Sequence, residues 1–356
     1  MKSEVYFIAT KEVDDVETVK AKLIRLIQES RVLNCIEARD SVAIKIHFGE
    51  EANTGYVRPE YLAVINAKIL EKGVHTFVAD TNTLYRGRRM NSQDHMALAC
   101  EHGFRPEIVG SKILIPDDTR KENISHIEIN QKFIKVASIA RIFTEADAVV
   151  CVSHFKGHLM TGFGGALKNM GMGCATRQGK LAQHSGVSPF IILHNCTGCG
   201  ACSEICPVKA ISLRDKKAYL ESSRCIGCAS CIASCRYNAI EVNWEEGADA
   251  IQEKMVEYAK AALDKKKNKS VFINFAIKIT KECDCLAKDD PRIAPDIGIF
   301  VSGDPVSIDK ACLDSVNARC RKDILKEAHP RRDGLKQLIY AEQLDLGNLE
   351  YDLVEL

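Results

Sequence analysis

Eight of the sixteen cysteines in this 356-residue chain lie in two copies of one short pattern. The first copy, CTGCGACSEICPVKAI, begins at Cys196, and the second, CIGCASCIASCRYNAI, begins at Cys225. Each copy has the spacing C-x2-C-x2-C-x3-C, in which three closely spaced thiolates surround one iron–sulfur cluster and the fourth reaches the other cluster. The repeat therefore predicts two [4Fe–4S] clusters with crossed ligands.

The crossed pattern divides the eight cysteines into two groups of four. The groups are Cys196, Cys199, Cys202 and Cys235 for one cluster, and Cys225, Cys228, Cys231 and Cys206 for the other. Structural zinc is the alternative metal for so many thiols. Zinc sites usually hold two separated C-x2-C pairs, so a third thiolate at the same short gap favours iron–sulfur clusters over zinc.

A further pair, Cys283 and Cys285, lies in the polar loop KECDCLAKDD. In an extended segment the side chains at i and i+2 point the same way, so both thiols can reach one metal ion. The remaining ligands of such a third metal site would be Cys174 and one of three histidines, His154, His158 or His184. The alternative is that Cys283 and Cys285 are reduced loop thiols without a metal, and the sequence leaves both interpretations open.

Two more stretches carry residues suited to chemistry. The sequence HFKGH predicts a catalytic group that offers bases and an ammonium on one side of a turn, namely His154, Lys156 and His158. Loop histidines that cap neighbouring carbonyls are the alternative. The stretch TGFGGALKNMGMG lets backbone amides approach an anion ahead of a helix, although its glycines do not match the dinucleotide fingerprint.

Cationic side chains near these stretches predict an anionic ligand. We assign Lys168, in the glycine-rich stretch, and Arg86 and Arg88, in the loop DTNTLYRGRR, to the binding of an anionic small-molecule substrate or cofactor. A solvated basic turn is the alternative for the two arginines.

These residues need a scaffold, and the pattern predicts an α/β fold with a doubly wound, mostly parallel sheet. Segments such as SVAIKIHF, VHTFVAD and DAVVCVSHF have the apolar, β-branched character of strands, and amphipathic helical segments alternate with them. Residues 1–189 and 246–356 are predicted to be two parts of this domain. Residues 190–245 form a small inserted α+β module that is ferredoxin-like.

Five unusual polar loops follow five predicted strands. Because the carboxyl ends of parallel strands meet at one edge of a sheet, we expect all five loops at that edge. The loops are HFGEEANTGYVR, DTNTLYRGRR, HFKGHLMTGFGGALKNMGMGCATRQGK, KECDCLAKDD and SGDPVSID. The inserted module leaves from the third loop, so we expect the clusters to serve a second site at this edge.

Composition narrows the possible partners. Lys and Arg together number 49 and Asp and Glu 48, so there is no basic field that would favour nucleic acid. The longest apolar runs are of strand length, and the first residues do not resemble a signal peptide, which predicts a cytoplasmic protein without a membrane segment. Reduced cysteines in that compartment favour metal ligation, and two clusters imply a partner redox protein.

The motifs resemble those of the domain of unknown function 362 family, many of whose members carry a bacterial-type ferredoxin insert. The resemblance covers nearly the whole chain and rests on IKIHFGE, DTNTLYRGRR, HFKGHLMTGFGGALKNMGMG, the two cysteine copies, CDC and DIGIFVSGDPVSIDKACLD. It implies an iron–sulfur protein, typical of anaerobic bacteria and archaea, whose reaction is unassigned. The α/β body also resembles the N-terminal domain of lactate racemase, which uses a nickel pincer nucleotide, but no nickel ligand of that enzyme matches a residue here.

Three hypotheses follow. The leading one is an iron–sulfur redox protein that passes single electrons between two [4Fe–4S] clusters and a metal or substrate site at the sheet edge. If a substrate reacts at that site, the protein is an oxidoreductase. The alternative is an electron carrier or metallocofactor-assembly accessory protein without small-molecule turnover of its own. A third is a metal-dependent, non-redox enzyme in which the clusters are structural.

Overall fold

The computed structural model describes residues 2–184, 188–225, 227–242, 250–266 and 268–356. The strands in these residues are β1 Ser3–Ala9, β2 Ser41–Lys45, β3 His75–Ala79, β4 Lys112–Leu114, β5 Ile124–Glu128, β6 Val136–Ala140, β7 Ala148–His154, β8 Lys156–His158, β9 Gly162–Gly164, β10 Phe190–Ile191, β11 Ile211–Arg214, β12 Lys217–Leu220, β13 Ile240–Glu241, β14 Ser270–Ala276, β15 Gly298–Ser302 and β16 Tyr351–Glu355.

The helices alternate with these strands along most of the chain. They are α1 Val16–Ser30, α2 Pro59–Leu70, α3 Ser92–Glu101, α4 Pro106–Val109, α5 Arg141–Glu145, α6 Ala166–Gly171, α7 Arg177–His184, α8 Ala201–Ile205, α9 Ser230–Ser234, α10 Ile251–Ala262, α11 Pro305–Cys320, α12 Ile324–Ala328 and α13 Leu335–Gln343.

One eight-stranded sheet forms the centre of the fold, in the order β16-β1-β15-β14-β7-β2-β3-β4. The block β14-β7-β2-β3-β4 is entirely parallel, and β1 is parallel to β16. The central strand β7 is buried at every position, as its continuous apolar sequence predicts for a strand covered on both faces. The predicted α/β class with a mostly parallel sheet is therefore confirmed.

Helices cover both faces of this sheet and create two apolar cores. On one face α1 and α2 pack through residues that recur at helical spacing, among them Leu23, Leu62 and Ile65, all fully buried. On the other face α6, α10 and α11 contribute buried residues such as Met170 and Val256. Burial of these apolar stripes against the sheet is the main favourable contribution to the fold.

One predicted placement is wrong. Strand β15 is antiparallel to both of its neighbours, β1 and β14, so the loop SGDPVSID that follows it lies at the edge opposite to the other four loops. The reason is the connection from β14 to β15, residues 277–297, which contains no helix. Without a crossover helix the chain returns in the opposite direction and pairs as an antiparallel neighbour.

The segment between α7 and α10 leaves the main sheet and forms its own small elements. Strands β10 and β13 pair antiparallel and bring the two ends of the segment together, while β11 and β12 form a hairpin between them. Strands on both sides of this segment belong to the same large sheet. The predicted boundary between residues 245 and 246 lies outside the described residues.

Among the described residues, the helices are all too short or too polar to cross a lipid bilayer.

The first turn of α11 provides a test of the fold. Asp304 caps this helix, accepting hydrogen bonds from the amides of Val306 and Ser307 at 2.8 and 2.9 Å, and also accepts from the Ser3 hydroxyl and the Asn348 amide. We expect Asp304→Ala to lower the free energy of unfolding by about 2–3 kcal/mol, measured by urea denaturation.

Asp15→Ala is the matched control for this measurement. Asp15 caps α1 by accepting from the Thr18 amide at 2.8 Å but is exposed and has no long-range hydrogen-bond partner among the described residues, so its loss should cost clearly less. Equal losses in the two variants would show that the contacts of Asp304 with Ser3 and Asn348 do not tie the chain ends to α11.

Candidate functional site

A cavity of about 210 Å3 opens at the carboxyl edge of the parallel block. Residues from the loops after β2, β3, β7 and β14 line it, as the shared direction of these strands requires. Seven of the predicted site residues line this cavity: His154, Lys156, His158, Lys168, His184, Cys283 and Cys285. The sheet thus brings together side chains that are up to 131 positions apart in the chain.

The two cysteines of the CDC sequence lie on a tight turn. The Leu286 amide donates to the Cys283 carbonyl at 3.1 Å, and the Cys285 amide donates to the Cys283 sulfur at 3.3 Å. The sequence predicts an extended segment here, and the structure instead uses a turn to place the two thiols side by side. Lys168 Nζ lies 3.4 Å from Cys283 Sγ and donates a hydrogen bond to it.

The two thiols differ in their electrostatic environment. Burial raises the pKa of Cys283, but the hydrogen bond with Cys285 and the ammonium groups of Lys168 and Lys156 outweigh this effect and bring the pKa well below its usual value. The same hydrogen bond and burial raise the pKa of Cys285. Burial lowers the pKa of Lys168, and the nearby sulfurs reverse this and raise it. The direction of these shifts favours a Cys283 thiolate, a Cys285 thiol and a charged Lys168.

Asp284, between the two cysteines, points away from them and fixes the turn. Its carboxylate lies 2.8 Å from His154 Nδ1 and 3.4 Å from Lys156 Nζ, and all three side chains are buried. His154 Nε2 lies 3.0 Å from the Ile277 carbonyl. Because both ring nitrogens face oxygen acceptors, neither nitrogen is free to bind a metal ion. His154 and Lys156 therefore hold the CDC turn.

His158 has a different arrangement. Its Nδ1 accepts hydrogen bonds from the amides of Met160 and Thr161, each at 3.2 Å. A neutral ring with Nδ1 as acceptor carries its proton on Nε2. Burial, together with Lys168 and Lys156, lowers the pKa of His158 well below its usual value and keeps the ring neutral. His158 is thus a hydrogen-bond donor at the cavity in this state.

A ring nitrogen of His158 and the sulfurs of Cys283 and Cys285 all lie within 4.8 Å of one another. These three side chains are the ones that can ligate a metal ion here, which agrees with the predicted ligand types. Cys174, the fourth predicted ligand, is fully buried in the apolar core and does not line the cavity. The position of Cys174 within the helical packing, which the sequence does not reveal, removes it from this group.

The two predicted anion-binding arginines do not line the cavity either. Arg88 forms an exposed ion pair with Glu101, in which Nη2 donates to a carboxylate oxygen at 2.6 Å. Arg86 Nη2 donates to the Cys235 carbonyl at 2.9 Å and so contacts the inserted segment. The neighbouring Arg89, by contrast, lines the cavity, is buried and pairs with Glu50 at 3.0 Å.

Sequence reasoning missed three other residues of the cavity, His47, Lys180 and Tyr85. His47 Nδ1 accepts from the Gly49 amide at 3.0 Å, while its Nε2 meets no hydrogen-bond partner among the described residues. Burial lowers the pKa of Lys180 to about 7. His47 and Tyr85 lie in the loops that follow β2 and β3, and this placement is the sequence signal that could have identified them. Lys180 lies on α7, and only the tertiary structure reveals how that helix packs.

The eight repeated cysteines line two separate small cavities in the inserted segment. One is lined by Cys196, Cys199, Cys202 and Cys235, and the other by Cys206, Cys225, Cys228 and Cys231. The last cysteine of each copy therefore faces the cavity of the other copy. Equivalent amides donate to these last cysteines, from Ala210 to Cys206 Sγ at 3.2 Å and from Ala239 to Cys235 Sγ at 3.4 Å.

The spacing of these sulfurs tests which metal they fit. A tetrahedral zinc site with Zn–S bonds of about 2.3 Å holds its sulfurs roughly 3.8 Å apart. Within the described residues, which include all eight cysteines, no three of these sulfurs lie within 4.8 Å of one another. These sulfurs are therefore farther apart than a tetrahedral zinc ion would hold them.

The loop after β3 joins the inserted segment to the central cavity. Leu84 is buried in the apolar cluster of the inserted segment, together with Leu181 of α7. Tyr85 lines the central cavity, and Arg86 binds the Cys235 carbonyl. These three consecutive residues together contact both the inserted segment and the central cavity.

The family model described as Domain of unknown function (DUF362) matches residues 42–314 of this chain. The chain belongs to this family. The match spans the parallel block, the inserted segment and most of α11, so the central cavity and the eight repeated cysteines are both within the DUF362 region.

Similar solved structures are distant. The lactate racemase apoprotein from Thermoanaerobacterium thermosaccharolyticum is 14% identical, with a TM-score of 0.41, and the match covers 76% of this chain and 50% of that one. A protein from Thermotoga maritima is 12% identical, also with a TM-score of 0.41, and the match covers 86% of this chain and 58% of that one. The chain thus spans half of the first structure and 58% of the second. No curated protein matches it.

The buried ion group around Asp284 gives a prediction for the DUF362 cavity. Asp284→Asn removes the buried carboxylate that pairs with Lys156 and contacts His154 Nδ1, so we expect the free energy of unfolding to fall by about 3 kcal/mol. Amide hydrogen exchange across residues 281–286 should become faster, because the turn loses its anchor.

Asp289→Asn is the control, since Asp289 lies in the same loop but is exposed and contacts Thr54 and Lys278. Similar exchange rates in the two variants would mean that Asp284 does not hold the turn.

Proposed function

We propose that this protein is an iron–sulfur redox protein that exchanges single electrons between two [4Fe–4S] clusters, held by residues 190–245 as a ferredoxin-like module, and a site in the central cavity. The observation that carries the proposal is the division of the eight cysteines between two cavities in the crossed pattern. When bound, such clusters supply one-electron exchange at a potential that depends on charge, burial and hydrogen bonds to sulfur.

The residues around the thiols suit this role. Amides of Ala210 and Ala239 donate to Cys206 and Cys235, and such hydrogen bonds stabilise the more negative, reduced state of a cluster. Apolar side chains such as Ile211 and Ile240 are buried beside the two cavities and limit access of water. Both features favour reversible electron exchange over hydrolytic loss of iron.

The loop of residues 84–86 supports electron exchange with the central cavity. Leu84 packs within the module and Arg86 binds the carbonyl of Cys235, while Tyr85 lies between them in sequence and lines the cavity. A short covalent path of this kind suits single-electron transfer, and it is the reason for preferring an internal acceptor over a simple electron carrier.

We further propose that a partner redox protein supplies or removes electrons at the module surface. Cys199 is exposed, and the apolar side chains of Leu213 and Tyr237, which line the same small cavity, are 46% and 48% exposed. An exposed apolar patch beside a cluster is the kind of surface at which electron-transfer partners dock.

The crossed ligand assignment can be tested with two double variants. Cys196→Ala with Cys235→Ala removes two ligands of one cluster, so anaerobically purified protein should keep about four of about eight iron atoms and, after reduction with dithionite, the EPR signal of one cluster. Cys196→Ala with Cys206→Ala damages both clusters and should leave no native EPR signal. If the Cys196→Ala, Cys206→Ala variant instead keeps one cluster while the other double variant keeps none, or if both give the same spectrum, the crossed assignment is wrong. If anaerobically purified wild-type protein contains neither iron nor acid-labile sulfide, the proposed function itself is wrong.

The contact of Arg86 with Cys235 gives a second prediction. A positive charge beside a cluster favours the added electron, so Arg86→Ala should lower the midpoint potential of the cluster that Cys235 ligates, measured by EPR-monitored redox titration. Arg88→Ala is the matched control, because Arg88 is two positions away, pairs with Glu101 and does not contact the module in the described residues. An unchanged potential in Arg86→Ala, or an equal shift in both variants, would count against electron exchange along this loop.

A further inference from the structure

The central cavity contains two thiols whose surroundings are unusual for a metal site. Lys168 places an ammonium 3.4 Å from Cys283 Sγ, and a cation at that position competes with a metal ion for the same sulfur lone pairs. Asp284 points away to its ion pairs with His154 and Lys156, so it is not available as a further ligand. The described residues thus place an ammonium in contact with one of the three groups that a metal ion would use.

We propose that Cys283 and Cys285 form a reversible dithiol–disulfide couple, which accepts the single electrons of the proposed function in pairs and reduces a small disulfide substrate. The inference rests on the proposed function for its source of electrons. The thiol chemistry itself belongs to the residues of the cavity and is testable independently of the clusters.

The turn geometry permits the bond. Cys283 and Cys285 are the first and third residues of a turn closed by the hydrogen bond from the Leu286 amide to the Cys283 carbonyl. The first and fourth Cα atoms of such a turn lie within about 7 Å, so the first and third fall in the range that disulfides span. The two sulfurs already lie within 4.8 Å of each other. Rotation about the side-chain bonds is then enough to close the disulfide.

Reduction of the internal disulfide is balanced in electrons and protons. The disulfide takes up two electrons and one proton, the sulfur–sulfur bond breaks, and the products are a thiolate on Cys283 and a thiol on Cys285. The electrons come one at a time from the proposed module, and the proton comes from solvent. After the first electron the sulfur pair carries one negative charge, and the ammonium of Lys168 beside Cys283 stabilises this charge.

The reverse half of the cycle uses an external disulfide. The Cys283 thiolate attacks one sulfur of the substrate, a mixed disulfide forms, and the first substrate thiolate leaves. Cys285 then loses its proton and attacks Cys283 Sγ, which releases the second substrate thiolate and restores the internal disulfide. The two released thiolates take up protons, one of them from Cys285. Cys283 is therefore the attacking residue and Cys285 the resolving one.

The experiment uses purified full-length protein, reduced and then freed of reductant under anaerobic conditions, with 2-hydroxyethyl disulfide as the probe. Peptide mass spectrometry after alkylation reports the state of Cys283 and Cys285. We expect an internal disulfide in wild-type protein and release of two probe thiols per chain for this pair. Cys285→Ser should instead trap a mixed disulfide on Cys283. Lys168→Met should slow the reaction at least tenfold, because the thiolate loses its counter-ion.

Cys100→Ser is the control, since Cys100 is half-buried on α3 and does not line the cavity, and it should behave like wild type. Thiols of Cys283 and Cys285 that remain free to alkylate after exposure to the probe would overturn the inference. So would a stoichiometric metal ion that protects both thiols until a chelator removes it.

Iron analysis and a second incubation separate this inference from the proposed function. Oxidised protein is treated with a one-electron reductant, and the recovery of both thiols is followed by alkylation. We expect fast recovery in iron-loaded wild type and at least tenfold slower recovery in Cys196→Ala with Cys235→Ala. Iron-loaded protein with inert thiols would refute only the dithiol couple. Protein without iron but with a competent couple would refute only the proposed electron source.

Discussion

The buried carboxylate of Asp284 is the constraint on which the central cavity depends. An isolated charge at this depth would be strongly unfavourable, and the structure compensates it with His154 and Lys156. These two residues come from the end of β7 and the start of β8, whereas Asp284 comes from the long loop after β14. The ion group therefore fastens that loop to the edge of the sheet, and the two flanking cysteines are positioned as a consequence.

The same constraint explains why similar residue types have different roles in one cavity. His154 uses both ring nitrogens in contacts with oxygen acceptors, while His158 and His47 use Nδ1 to accept backbone amides. His154 is thus part of the scaffold, and the other two present a ring N–H to the cavity. Lys156 neutralises Asp284, whereas Lys168 lies against a sulfur. Hydrogen-bond partners, rather than residue type, separate the structural groups from those that can meet a ligand.

Packing against the body ties the inserted segment to this cavity, in addition to its position in the chain between α7 and α10. Strands β10 and β13 bring its two ends together, and strands of the large sheet precede and follow it in the chain. Leu84 and Leu181 then enter its apolar cluster from the body. Burial of both side chains gives the segment a fixed place against the loop that also reaches the cavity, which suits the electron exchange proposed above.

The sequence alone determined the features that depend on local pattern. Apolar periodicity and caps predicted the strands, the helices and the α/β class, and cysteine spacing predicted which four thiols share a cavity, because the crossed arrangement is encoded in the repeat itself. The shared direction of parallel strands also brought His158, Lys168 and Cys283 to one edge. Only the tertiary structure decided which neighbours each side chain meets. It removed Cys174 and Arg88 from the cavity, reversed the direction of β15, and added His47 and Lys180. These outcomes depend on long-range packing and hydrogen bonding, which bring together residues that no short pattern relates.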